Sequence, residues 1–304
     1  MSKNNQKSVI IGANGYIGRN LSYFLNASGV DNINFGIEDV VKFSWMTYSK
    51  LDVTVKEDFF QIDRDVKIIY FMAGLTGTLN GFDLYKDYFN INVIGLNNLL
   101  DYLKKNNIKA KVVFPSTRLV YKGIKGIELK EDSIKSPNTI YALTKTTCED
   151  LLNIYHKSFG IDYEIFRICV PYGNLVGNDY SYGTLGSFIN NAKKHKKITI
   201  YGDGSLMRTF THIKDICNIL MDSSNFISSN NIYNIGGETF KLKQVAEKIS
   251  NLFNARIEFI DWPDQILNIE SGDTVFYSKK LDNNLGGFNY RKLDDWINTL
   301  TSIK

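Results

Sequence analysis

The sequence predicts an α/β fold, a doubly wound parallel sheet over the first part of the chain followed by a smaller, mixed C-terminal part. Three observations carry this. A short apolar run at 8–11 ends in the turn Gly12-Ala13-Asn14-Gly15-Tyr16-Ile17-Gly18, which opens a stretch of helical periodicity. Further apolar runs at 66–74 and 112–114 read as strands buried on both faces, as parallel strands are. Segments with apolar residues three and four apart separate these runs, and such alternation implies a sheet covered on both sides, with ligands at the carboxyl ends of its strands.

The first strand, 8–11, leads into a helix over 19–27, with Ile17, Leu21, Phe24 and Leu25 at helical spacing. Of the three glycines between them, Gly12 permits the tight turn. Gly15 lets a pyrophosphate approach the backbone at the positive end of the helix, and Gly18 lets the helix pack close to the strand. This is the Rossmann type of dinucleotide turn. The second strand spans 32–37. An acid is expected at its end to accept from the adenosine ribose hydroxyls, but position 36 is Gly36, with Glu38 and Asp39 just beyond. No arginine stands nearby to take a 2′-phosphate, so the reading leans to NAD, with NADP left open.

A third strand at 49–54 carries Asp52, an acid that could meet the adenine. The run 66–74 ends in Ala73-Gly74, small enough to let a ligand come close. A helix over 88–104 carries Asn92 and turns Val93, Leu96, Leu99, Leu100 and Leu103 inward. The strand at 112–114 is broken by Pro115-Ser116-Thr117, and another strand follows at 162–167. Gly12, Ala73 and Thr117 all fall at carboxyl ends.

Between these last two strands lies the stretch the chemistry depends on. Pro137 favours a helix start, and Ala142, Leu143, Leu151 and Leu152 suit a helix running to Gly160. Four apart on it, Tyr141 and Lys145 share one face. An ammonium beside a phenol favours the phenolate, so Tyr141 can exchange a proton nearer neutral pH than its ordinary pKa of about 10. After Pro171 the pattern is less regular. Glycines and tyrosines crowd 172–186. Helices are expected over 185–194, from 213, over 242–252 and over 294–300, and strands at 198–200 and 232–235.

Bulk properties exclude several classes. The net charge of +4 on 304 residues is mild, and the one basic cluster, 193–197, reads as a solvated helix end rather than a nucleic-acid surface. Cys148, Cys169 and Cys217 are odd in number and far apart, which fits a reducing cytoplasm. His156, His195 and His212 make no ligand spacing, so no metal is expected. No apolar run is long enough to span a bilayer, and no signal peptide is read.

Taken in order, these residues resemble the extended short-chain dehydrogenase/reductase family, in particular its nucleotide-sugar epimerases and reductases. The resemblance rests on Gly12-x-x-Gly15-x-x-Gly18, Ala73-Gly74, Asn92, Ser116-Thr117 ahead of Tyr121, and Tyr141-x-x-x-Lys145. It continues in Arg167 with Pro171-Tyr172-Gly173, Tyr201-Gly202-Asp203-Gly204, Arg208-x-Phe210 with Asp215, and Asn234-Ile235-Gly236-Gly237. It implies an NAD(P)-binding domain at 1–170 and a substrate domain at 171–304, with part of 205–225 returning to the first. It implies Thr117, Tyr141 and Lys145 as catalytic residues. Tyr141 is then the acid/base at a sugar hydroxyl, Lys145 holds the nicotinamide ribose, and Thr117 bonds the same sugar oxygen.

The same resemblance assigns the cofactor to Gly12, Asn14, Gly15, Tyr16, Ile17, Gly18, Asp52, Val53, Ala73, Gly74 and Asn92, together with Tyr141 and Lys145. It assigns a nucleotide-diphosphate sugar to Thr76, Thr117, Arg118, Tyr201 and Arg208. It further implies a cytoplasmic homodimer, paired through the helices of Asn92 and Lys145, serving polysaccharide precursor synthesis. Five positions depart from the family. Arg118-Leu119 stand where the 4,6-dehydratases carry an acid pair, so dehydration is set aside. Val170 replaces an asparagine, Glu270 lies where 4-epimerases carry an arginine, and Gly36 replaces the ribose-binding acid. Two reactions stay open: an epimerase, most simply at C4 through a keto intermediate, and a one-way oxidoreductase such as a 4-keto-6-deoxy-sugar reductase or a sugar dehydrogenase. A non-catalytic descendant of the family is disfavoured by the intact Thr117, Tyr141 and Lys145.

Overall fold

The structure, a computed structural model, describes residues 7–40, 43–177, 182–226 and 229–300. The chain forms two compact units. The first comprises 1–120, 139–167 and 217–233, the second 121–138, 168–216 and 234–304. The sequence expectation divided the chain near 170, with part of 205–225 returning to the first part. Instead 121–138 falls in the second unit, because its strand Glu128–Leu129 pairs with Val275–Phe276 and Tyr121 donates its hydroxyl proton to Asn234 Oδ1 (2.7 Å). The segment that returns to the first unit is 217–233, which shares 217–225 with the expected stretch 205–225 and runs beyond it.

The first unit is built on a seven-stranded Rossmann-like sheet in the order Asn231–Asn234, Tyr163–Ile168, Lys111–Thr117, Ile68–Phe71, Ser8–Ile11, Asn32–Gly36, Tyr48–Lys50. Ser8–Ile11 pairs in parallel with both neighbours, and Ile68–Phe71 in parallel with Lys111–Thr117. Val9, Ile11, Ile69, Phe71, Val112 and Phe114 face the helices through a core that takes in Leu96, Leu99, Leu100, Leu103, Cys148 and Leu152. Both faces of the central strands are buried, which is why they read as unbroken apolar runs.

Element ends differ from expectation for local reasons. The strand Lys111–Thr117 runs through Pro115, whose missing N–H is not needed, because its register with Ile68–Phe71 stops at Val113. The third strand stops at Lys50. Asp52 Oδ1 there accepts from both the N–H and the hydroxyl of Thr54 (2.9 and 2.7 Å), and this turn ends the extended run. The helix expected from Pro137 begins at Ile140, capped by Thr139 Oγ1 accepting from Ala142 N–H (3.0 Å), and ends at Phe159 against a left-handed Gly160.

The helix expected over 88–104 is continuous from Tyr85 to Lys105. Its turn Phe89–Ile94 is of the π type, one residue wider than an α turn. In the second unit, Met207–His212 pairs antiparallel with Glu238–Lys241 and parallel with Val170–Tyr172, a small mixed sheet. The helix Gly183–His195 ends in the exposed lysine cluster. Positions 178–181 of the tyrosine-rich stretch lie outside the described residues.

Candidate functional site

At the carboxyl ends of the strands in the first unit lies a cavity of about 270 Å³. It brings together Gly12, Asn14, Gly15, Asp52, Val53, Ala73 and Gly74, seven of the residues expected at a cofactor. Gly12 has φ +88°, and a Cβ there would come within 2.4 Å of Ala73 N. A Cβ on Gly18 would lie 2.2 Å from Gly12 O, so the helix Tyr16–Ala27 could not approach the strand with any other residue. Gly15 is exposed, and no side chain caps the helix start there, so the helix presents its positive end openly. Asn14 Oδ1 is buried and has no hydrogen-bond partner among the described residues. An exposed glycine at a helix start and an orphaned buried acceptor suit a ligand with phosphates and hydroxyls. Tyr16, Ile17 and Gly18 form the first helical turn behind this cradle. Another cavity, about 380 Å³, lies at the amino ends of the strands around Ser8, Asn32 and Trp45, remote from every expected site residue.

The far wall is held by the helix with the wide turn. Gly95 presses on Val53, since a Cβ there would lie 2.7 Å from Val53 Cγ2, and Asn98 donates to Val53 O (3.0 Å). Asn92, in the π turn, accepts from Leu75 N–H (2.7 Å) and donates to Leu75 O (3.1 Å) and Thr144 Oγ1 (3.0 Å). It thus ties the loop after Gly74 to the helix of Tyr141 and Lys145. The carbonyl of Asn92 accepts from Cys148 Sγ (3.2 Å), whose thiol is pushed up to about 12 by burial.

On the helix Ile140–Phe159, Ala142, Lys145, Cys148, Glu149 and Leu152 are buried, while Tyr141 is half-buried. Lys145 donates to Pro115 O (2.8 Å) and lies over the Phe114 ring (4.4 Å). Burial pushes it down to about 8, with Cys148 and Glu149 pulling the other way. A second tie lies one turn further along. Glu149 Oε1 accepts from Ser116 Oγ (2.6 Å) and Arg167 Nε (2.8 Å), and Oε2 from Arg167 Nη2 (2.6 Å), all fully buried. Strand end and helix are therefore pinned at Pro115 and Ser116, the two residues before Thr117, which is 7 % exposed and accepts from Leu119 N–H through Oγ1 (3.3 Å). Arg118 is half-buried and opens a single 3₁₀ turn, Arg118–Val120. Thr76 is exposed, and its carbonyl accepts from the Tyr88 hydroxyl (2.6 Å).

In the second unit Tyr201 ends the strand Lys197–Tyr201 and lies against Trp262, ring centres 5.3 Å apart and tilted 33°. Arg208 is 2 % exposed. It donates to Glu270 Oε1 (2.5 Å), Gly272 O (2.5 Å) and Met207 O (2.9 Å). One departure from the expected pattern, the acid at 270, is thus tied to a residue that follows that pattern, the arginine at 208. Residues not singled out for the site from the sequence include Glu149, Leu75 and Tyr48. Glu149 carried a signal, one turn from Lys145 on the same face. Tyr48 carried none, because its place depends on how the third strand lies beside the second. Among the described residues no cluster of histidine, cysteine and carboxylate side chains could hold a metal, and no helix is long and apolar enough to cross a membrane.

Comparison with known proteins shows the family and the fold. The profile of the NAD dependent epimerase/dehydratase family matches residues 8–236. A UDP-glucuronate 4-epimerase of Thermodesulfobacterium geofontis is 27 % identical over 297 residues, covering 90 % of each chain. The uncharacterized UDP-glucose epimerase YtcB of Bacillus subtilis is 30 % identical over 225 residues, 69 % of each. The fold is shared with the UDP-glucose 4-epimerase of Thermus thermophilus, crystallised with NAD, at a TM-score of 0.84, 20 % identity and 98 % coverage of both chains.

Proposed function

The chain belongs to the NAD-dependent epimerase/dehydratase family of nucleotide-sugar enzymes, and we propose that it is a nucleotide-sugar epimerase that inverts a carbinol carbon, most simply C4, through a keto sugar. NAD, held by the glycine turn Gly12–Gly18, Ala73-Gly74 and Lys145, would supply the hydride acceptor and, once reduced, the hydride donor. The observation that carries this reading is the pair of ties pinning Thr117 to the helix of Tyr141 and Lys145 at the carboxyl ends of the strands, Lys145 to Pro115 O and Glu149 to Ser116.

In this reading Tyr141 takes the proton from the sugar hydroxyl and later gives it back. Thr117 donates to the same oxygen and keeps it in place as charge builds there. Lys145 donates to the nicotinamide ribose and holds the phenol acidic while it is protonated. Asn92 keeps the loop after Gly74 beside that helix. Dehydration would need a further acid and base beside Thr117, and the chain offers Arg118-Leu119 there. Tyr201 and Trp262 offer aromatic faces to the nucleobase. Arg208 meets the diphosphate by trading Glu270 for it. Exposed Ile94, Leu143 and Ile154, on the helices of Asn92 and Lys145, support a homodimer.

The test is incubation of the purified protein with UDP-glucose and UDP-glucuronic acid, with products read by NMR. The expected result is inversion at one carbon without added or consumed NAD+. Consumption of NAD+ in step with product overturns the epimerase in favour of a dehydrogenase. Tyr141→Phe is expected to lower turnover at least about a hundredfold while dinucleotide stays bound. Turnover near that of the wild type would remove Tyr141 from its role.

A further inference from the structure

The second strand ends at Gly36 without the acid that an adenosine ribose needs, yet the structure places a carboxylate at that point. Glu38 Oε2 lies 3.3 Å from where a Cβ on residue 36 would stand, so its carboxylate reaches back over the glycine. Two groups hold it there. Asn14, inside the glycine turn, donates from Nδ2 to Glu38 Oε2 (2.8 Å). Tyr48, from the neighbouring strand, donates its hydroxyl to Glu38 O (2.9 Å) and accepts from Asn14 Nδ2 (3.3 Å). A side chain at 36 would collide with this arrangement, since its Cβ would lie 2.8 Å from the Tyr48 hydroxyl. Gly36 is therefore what admits Tyr48 and Glu38.

Asp39 is the other acid in reach by sequence, but it is exposed and its carboxylate accepts from Lys50 Nζ (2.7 Å). The lining of the crevice contains the carboxylates Glu38 and Asp52 and no lysine or arginine. The Tyr48 phenol is pushed up to about 12, by burial first and by the Glu38 charge next, and so stays a neutral donor.

We propose that Glu38, held by Asn14 and Tyr48, selects NAD over NADP in this chain, doing from two residues further on what residue 36 cannot. The inference rests on the crevice being the dinucleotide site. A carboxylate here accepts from the 2′- and 3′-hydroxyls of the adenosine ribose. It meets a 2′-phosphate as one anion meets another, with no cation in the lining to relieve the repulsion. The acid and the glycine thus form one device.

The experiment incubates the protein with an equimolar mixture of NAD+ and NADP+, removes free nucleotide, and measures by mass spectrometry what the denatured protein releases. The wild type is expected to release NAD+ in excess of NADP+ by about a hundredfold. Glu38→Gln is expected to narrow that ratio by about tenfold or more, the size of a lost charge-assisted bond. Tyr48→Phe keeps the carboxylate but loosens it, and is expected to narrow the ratio by about threefold. A Glu38→Gln ratio within twofold of the wild type overturns the role of Glu38 while leaving the crevice as the dinucleotide site. Retention of neither nucleotide by the wild type overturns both.

Discussion

Lys145 shows what a buried ammonium asks of the fold around it. The residue is 5 % exposed, and burial lowers its pKa from 10.5 to about 8. The unfolded chain therefore binds more protons than the folded one between pH 8 and 10.5. Stability rises with pH through that window, and the burial penalty is felt in full below it. The shift corresponds to up to about 3 kcal/mol, against which the bond to Pro115 O returns about 1 kcal/mol. Dinucleotide-free Lys145→Met is thus expected to melt a few degrees above the wild type at pH 7, with the gap closing by about pH 10.5. Calorimetry at the two pH values checks this, and a wild type that melts higher at pH 7 contradicts it. The placing of Tyr141 and Lys145 on one helix, and of the glycines at the crevice, was legible because both depend on local spacing. Glu38 was only half legible. Its reach over Gly36 needs Tyr48, which no short-range pattern connects to it.

Among elements, the strand Lys111–Thr117 and the helix Ile140–Phe159 are joined by two polar ties rather than by apolar packing alone. The Glu149–Arg167 pair in the second tie is fully buried, so removing one charge strands the other. Glu149→Gln is expected to lower stability by about 3–5 kcal/mol, and Ser116→Ala by about 1–3 kcal/mol, as urea denaturation would measure. Equal, small losses from both would show that the pair does not hold these elements together. Such ties explain why the strand continues past the point at which Pro115 was expected to break it. The π turn at Phe89–Ile94 was likewise invisible in a pattern of apolar spacing, because Val93, Leu96 and Leu100 still reach the core on either side of it.

For the molecule as a whole, the second unit carries an acid-sensitive centre. His212 is packed against Tyr172 and Trp296, and its Nδ1 accepts from Lys214 N–H (3.1 Å). Burial lowers it to about 4, with Arg291 and Lys214 adding to the shift. Below pH 6.5 the unfolded chain gains a proton that the folded one refuses, so stability falls as pH drops towards 4. Asp215, raised by burial and paired with Arg291, acts in the opposite sense. The urea midpoint of the wild type is expected to fall between pH 7 and pH 4.5, and that of His212→Gln to fall less. An identical slope in both would exclude His212 as the cause. The architecture of the first unit could be read from its alternating runs, but not its membership. Nothing in the four residues Asn231–Asn234 says that they complete a sheet begun at Ser8.

That late strand has a consequence for how the protein is made. The first unit is assembled from three stretches of chain, the last of them 217–233, and Asn231–Asn234 lies at the sheet's outer edge beside Tyr163–Ile168. During synthesis, at about 5–20 residues per second, Tyr163–Ile168 emerges seconds before its neighbour and must wait with one flank bare. A nascent chain caught in that interval offers an open strand edge to whatever other chain is near, as on a crowded polysome.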